Sequence, residues 1–291
     1  MPNSTGSFNP TLERFIGIVD GLALPACKTR YTFTSLELYE RTLKASINKG
    51  MQIYWVELLG RAHLTSVTSI LRNRQWVSAL SLAIQNNNLL AFAAAFRGFI
   101  ESSADGYSAL KNLPRCLARD YESIASAVSG TLDLIFSAPQ LEDDLIHFQY
   151  ARKLTKGEIS ESPKSHETKK VRDYLEEIER GGIPDLVAAY SYLCDLTHPS
   201  ATSVWMFIRP INDFEIELGT NQDGLMISDF LAKYEQTLIE LFMFAFNPGI
   251  VTLRVLMEYP LTTFHVPGVR NCDLSSIPLW QKCAFDLKLR C

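Results

Sequence analysis

The sequence lacks a long apolar run. Its most apolar stretches, LLAFAAAF and LIELFMFAF, fall well short of the roughly 20 residues needed to span a bilayer, so no membrane association is expected. The N-terminal MPNSTGSFNP has no apolar stretch of the kind that marks a secretory signal. The six cysteines, at 27, 116, 194, 272, 283 and 291, form no C-x-x-C pair. A chain of 291 residues does not need disulfide staples, and a reducing, cytoplasmic home is the expectation.

Motifs of the common enzyme classes are missing too. There is no Walker A loop, no G-x-G-x-x-G after a strand, no G-x-S-x-G and no H-E-x-x-H, which removes most nucleotide-binding and hydrolytic chemistries from first consideration. His265, Cys272, Cys283 and Cys291 have none of the short ligand spacings of a zinc site. Asp143, Asp144, His147, Glu176 and Glu177 lack the paired Glu-x-x-His pattern of di-iron bundles. Neither a metal nor a cofactor is expected. A net charge of −4 gives no global attraction for nucleic acid, leaving a local patch as the only electrostatic route to it. No repeat of 20–50 residues is evident beyond a general rhythm of paired helices.

What is present is a balance of 47% apolar and 21% charged residues, ample for a globular core. Residues 1–34 read as an irregular leader, with a short helix around 12–20. From Ser35, a candidate N-cap, Leu36, Tyr39, Leu43 and Ile47 share a helical stripe. Gly50 offers a stop or kink. Helices are predicted over 53–72 and 75–85, with Asn86-Asn87-Asn88 turning into a central helix from Leu89 to Leu110. Further helices are predicted over 115–136, 140–154, 167–180 and 184–197, with stops at Gly181-Gly182 and His198-Pro199.

The period then changes. Val204, Trp205, Phe207 and Ile208 against Phe214, Ile216 and Leu218, around Asn212-Asp213, predict a β-hairpin. A last long helix is expected from Ser228 to Phe246, stopped by Asn247-Pro248-Gly249, with one more over 251–258. The sum is a mainly α fold: a single multi-helix bundle-like domain over 35–249 with a small β-hairpin near 203–218, followed by a C-terminal extension at 250–291. Residues 155–170 are the most polar segment. Between Arg152 and Arg172 seven Lys/Arg face three acidic residues, which reads as a solvated, mobile connector or as a partner- or RNA-facing loop.

Two places hold candidate chemistry. Arg97 and Glu101 are the only charges between Leu89 and Ala104, one turn apart on one face. A helix apolar all round is normally buried, so both charges are expected to enter the interior together and compensate each other. They form either an ion pair that fixes packing or a site whose guanidinium fork meets phosphate or carboxylate. The second place is the helix end YSYLCDLTHP, where Tyr190, Ser191, Cys194, Asp195 and His198 lie opposite the stripe of Leu186, Ala189, Leu193 and Leu196. Asp195, three residues before His198, is placed to orient the imidazole of an acid–base dyad. A C-capping histidine that binds the last carbonyls is the alternative, and Cys194 is a nucleophile candidate beside His198.

The pairing of AAFRGFIES with YSYLCDLTHPS about 90 residues later resembles helical proteins of the HEPN-like kind found in prokaryotic defence and toxin systems, over residues 53–246. In that resemblance an R-x-x-x-E helix packs near a Y-x-x-L-x-x-x-x-H-P helix end. The family's better-known signature, an Arg followed four to six residues later by His on one helix, does not occur here. The resemblance implies metal-independent RNA cleavage. His198 would move the proton of a ribose 2′-hydroxyl, Arg97 would stabilise charge on the phosphate and Glu101 would orient Arg97, with Tyr190 and Asp195 around them. It also implies RNA as a partner and a homodimer. Beside it stands a second expectation: a non-catalytic helical module that binds a protein partner or a small ligand, in which Arg97, Glu101 and His198 are polar structure.

Overall fold

A computed structural model describes residues 5–219 and 222–289. The elements, in chain order, begin with α1 (Thr5–Ala23), α2 (Leu36–Ala45), α3 (Ile47–Gln85) and α4 (Leu89–Leu110). Then come α5 (Leu113–Arg119), α6 (Tyr121–Val128), α7 (Pro139–Tyr150), α8 (Val171–Arg180), α9 (Leu186–Thr197) and α10 (Ala201–Trp205). A two-stranded antiparallel hairpin, β1 (Ile208–Asn212) and β2 (Glu215–Leu218), precedes α11 (Asp223–Lys233), α12 (Glu235–Leu256), α13 (Pro267–Arg270) and α14 (Pro278–Asp286). The fold is mainly α with one small hairpin.

The residues sort into two compact units: Met1–Asp20, Leu71–Ala104 and Lys170–Phe244 form unit 1, and Gly21–Ile70, Asp105–Lys169 and Ala245–Cys291 form unit 2. The stretch 35–249 contributes to both units, and the stretch from residue 250 onward falls in unit 2. The expected irregular leader carries α1, whose Leu12, Val19 and Leu22 are buried.

Unit 1 is built on aromatic rings. Phe92 and Phe96 of α4 stand 5.6 Å and 5.5 Å from Phe230 of α11, both edge-on. Phe230 also meets Tyr192 at 5.7 Å and Tyr234 at 4.7 Å, and Phe99 meets Phe242 at 5.0 Å. Edge-to-face pairs at these separations match the quadrupoles of the rings. Phe92, Phe96, Phe99, Ser103 and Leu110, which share one face of a helix at 100° per residue, are wholly buried.

In unit 2, Trp55 stacks on Phe136 at 5.2 Å and donates its indole N–H to the Phe136 carbonyl at 2.8 Å. That contact pins irregular chain where the sequence predicts the end of a 115–136 helix. Tyr259 is buried with its hydroxyl donating to the Leu117 carbonyl at 2.7 Å. The polar segment after residue 154 carries hydrogen bonds of its own. Arg152 grips Glu158 at 2.6 Å, and the Thr155 N–H and hydroxyl donate to the same carboxylate. These donors hold the Glu158 pKa down to about 2.

Several boundaries differ from those predicted, each for a local reason. Ser35 caps α2 by accepting from the Leu38 N–H at 3.3 Å, as expected. The break predicted at residues 73–74 is absent because its polar side chains are occupied. The Arg72 Nε donates to Ser102 Oγ at 2.8 Å, Ser102 Oγ donates to Asn73 Oδ1 at 2.5 Å, and Arg74 forks onto Asp20 at 2.7 Å. Pro248 does not end α12. The Thr252 hydroxyl donates to the Pro248 carbonyl at 2.7 Å, and a Cβ on Gly249 would lie 3.2 Å from Ile70 and 3.4 Å from the Ser66 carbonyl, so packing compensates the bond that proline forfeits.

Helix α12 is long and apolar enough to cross a membrane by length and composition, with 56% of the relevant window buried inside the protein; core helices meet the same criterion. Residues 203–205, expected in the hairpin, belong instead to α10, which a Ser200–Ser203 capping box opens.

Candidate functional site

The site lies within unit 1, where α4 supplies Arg97 and Glu101 and the end of α9 supplies Tyr190, Thr197 and His198. Helix α9 buries Leu186, Ala189, Leu193 and Leu196, which turns its opposite face, with Tyr190 and Cys194, to the edge of the core. Pro199 decides how the helix ends. A residue before proline is pushed to extended backbone, and His198 adopts φ −96°, ψ 156°. Its backbone N–H closes the last turn on the Cys194 carbonyl at 2.8 Å. The imidazole leaves the helical path and meets Arg97.

There the Arg97 Nη1 stands 3.0 Å from His198 Nε2. A guanidinium has no acceptor, so a hydrogen bond between the two uses the Nε2 lone pair as its acceptor. The same Nη1 lies 3.4 Å from Thr197 Oγ1, whose hydroxyl donates to the Leu193 carbonyl at 2.9 Å. On the other side, the Arg97 Nε donates to Glu101 Oε1 at 3.0 Å. That oxygen also accepts the Tyr190 hydroxyl at 2.7 Å, and the guanidinium sits over the Tyr190 ring at 5.9 Å. The bond to Glu101, more than any other influence, raises the Arg97 pKa. The Tyr190 phenol is driven well above its ordinary value by burial first, then by the adjacent Glu101 carboxylate and by Cys194.

Arg97 and Glu101 are not carried into the interior as expected; their side chains keep 30% and 34% of their surface. Leu90, Ala91 and Ala94 on that part of α4 are exposed as well, since an apolar residue need not be a buried one. Of the predicted residues, Arg97, Glu101, Tyr190 and His198 are brought together. Asp195 is not: it is exposed, and among the described residues its carboxylate bonds neither His198 nor Arg97, while its backbone carbonyl accepts the Ser200 hydroxyl at 2.5 Å. The reason is the extended His198 backbone, which takes the ring out of the helical register that would have set it against Asp195. The Cys194 thiol lies beside the Tyr190 phenol and near enough to Arg97 to add to the rise of its pKa. Thr197 is the participant that sequence reasoning missed; its only signal was adjacency to His198.

Chemically, the cluster offers an imidazole and a cation whose Nη2 donates to no described residue. A carboxylate fixes the cation from behind. Among the described residues no group of three or more His, Cys, Asp or Glu is placed to hold a metal ion. No protein-family model, no curated protein and no solved structure matches this chain.

Proposed function

We propose that the Arg97–His198 pair is an anion-binding acid–base site and that its reaction is metal-independent cleavage of RNA. The observation that carries the reading is the 3.0 Å approach of a guanidinium and an imidazole 101 residues apart in sequence. A phosphodiester offers oxygens that suit the Arg97 fork. Once a phosphate draws Nη1 and Nη2, the Nε2 lone pair is released to a neighbouring 2′-hydroxyl. That hydroxyl passes its proton to Nε2 as its oxygen bonds to phosphorus. The P–O5′ bond breaks, and the imidazolium returns the proton to the leaving 5′-oxygen. The products are a 2′,3′-cyclic phosphate and a 5′-hydroxyl. Arg97 stabilises the charge developing on the phosphorane, and Glu101, anchored by Tyr190, holds the fork in place.

The test is incubation of the protein with mixed RNA in EDTA beside His198→Ala and Arg97→Ala. Each variant is expected to lose at least about 100-fold in rate, the usual worth of a positioned proton-transfer group or charge stabiliser. Absence of cleavage by the unaltered protein removes the proposal, and equal rates in the His198 variant remove that residue's role.

One observation favours a second reading, a non-catalytic module that binds a protein partner. Trp205, Phe207, Phe214, Ile216 and Leu218 are all exposed in and beside the hairpin, and exposed apolar patches mark contact surfaces. On that reading Arg97→Ala and His198→Ala alter stability alone, and the RNA assay stays blank for every sample.

A further inference from the structure

Unit 2 contains a cleft of about 510 Å³ that the proposed reaction does not use. Its floor is one face of α3, where Tyr54, Glu57 and Arg61 recur at helical spacing. The start of α2 with the chain before it (Thr34, Tyr39) makes one wall, and the first turn of α7 (Pro139, Glu142) makes the other.

The charges in this cleft are arranged unusually. Glu57 and Arg61 are four residues apart on one helix, the spacing at which opposite charges ordinarily pair. They do not pair. The Arg61 Nη1 donates to Gln149 Oε1 at 2.8 Å and its guanidinium lies over the Phe33 ring at 4.3 Å, so the cation is turned to other partners. Glu57 Oε1 accepts the Thr34 N–H at 2.6 Å, and its second oxygen takes no hydrogen bond from a described residue. Glu142 adds a second carboxylate near the Tyr54 hydroxyl, whose pKa it helps to raise after burial, the larger cause, and that hydroxyl accepts the Ala138 N–H at 3.0 Å. Both carboxylates lie close enough to Tyr39 to raise its pKa, after burial, the larger cause. The cleft thus presents two carboxylates and two tyrosine rings between aliphatic walls that include Ile53 and Leu36.

The geometry points to this cleft as a binding site for a primary alkylammonium group on a short aliphatic chain. An ammonium donates three hydrogens in different directions, which suits the unpartnered Glu57 oxygen and the Glu142 carboxylate together. The ring faces of Tyr39 and Tyr54 attract a cation, and the aliphatic walls cover the methylenes that lead to it. Free polyamines and protein lysine side chains carry the same group, and binding measurements separate them.

The experiment is calorimetric titration of the intact protein with n-hexylammonium chloride, with 1-hexanol as the uncharged control. Saturable binding of the ammonium and at least ten-fold weaker binding of the alcohol are expected. Glu57→Gln keeps an acceptor for the Thr34 N–H and is expected to weaken ammonium binding about ten-fold, the usual worth of one charge-assisted hydrogen bond. Glu142→Gln, with a melting temperature compared alongside, guards against a folding effect at one position. Spermidine and a lysine-containing peptide complete the series, and tighter binding of one identifies the source. Equal affinity for 1-hexanol, unchanged affinity in both variants, or no binding of any ammonium probe overturns the assignment.

Discussion

Phe230→Ala is expected to lower the free energy of unfolding by about 3–5 kcal/mol, the range for truncating a buried phenylalanine. Phe230 is only 4% exposed and touches four rings, those of Phe92, Phe96, Tyr192 and Tyr234. Alanine therefore removes the transfer energy of one ring and leaves a cavity walled by rigid aromatics that collapse poorly. The loss of the edge-on geometry adds to that cost. Phe214→Ala supplies the contrast: Phe214 is fully exposed at the hairpin turn, and its replacement is expected to stay within about 0.5 kcal/mol. Urea unfolding of the three proteins decides the matter. A Phe230 variant within about 1 kcal/mol of the parent would show that unit 1 does not rest on this ring cluster.

Acid is expected to weaken the fold through His63. The side chain is fully buried and flanked by Tyr31 at 5.8 Å and Phe264 at 5.6 Å between ring centres. Nδ1 is 2.7 Å from the Tyr31 hydroxyl, while Nε2 is buried without a partner. Burial lowers the His63 pKa to about 4, and the Tyr31 phenol, raised to about 12, mainly by burial, stays neutral throughout the acid range.

The sign follows from proton counting. Between about 6.5, where the unfolded imidazole titrates, and about 4, the unfolded chain binds a proton that the folded one refuses, so stability falls as pH drops through that window. The total is up to about 3 kcal/mol, at about 1.4 kcal/mol for each pH unit between the folded and unfolded titrations, and the loss is complete near pH 4. Above about 6.5 the group is neutral in both states and contributes no slope. His63→Leu is expected to flatten the stability curve between about pH 4 and 6.5 relative to the parent. Identical slopes in the two proteins would assign the acid sensitivity to other groups.

The contrast between α4 and the end of α9 shows where a sequence stops being informative. Local regularities were legible. Leu89–Leu110 was bounded correctly by an asparagine turn whose Asn87 takes φ 47°, and the Phe92, Phe96 and Phe99 face followed from helical period alone. The hairpin was legible from the alternation around Asn212-Asp213, where Asn212 Oδ1 accepts the Phe214 N–H at 3.0 Å. The Arg97–Glu101 pair came from i,i+4 spacing. Pro248 was misleading because it acts through a penalty that neighbouring chain can offset. The residues 72–74 were misleading because a polar cluster marks a boundary only when its polar groups face water.

By itself, then, the sequence determined the mainly α character, the helix faces and the one-turn partnership of Arg97 with Glu101. Each of these depends on residues a few positions apart and on the fixed geometry of the backbone. Tertiary structure alone decided that His198 reaches Arg97 while Asp195 does not, that Thr197 and Tyr190 complete the cluster, and that Arg61 turns away from Glu57. These outcomes depend on which helices share a core and on a single extended residue before Pro199, and the energy of such contacts is set by neighbours far away in the chain.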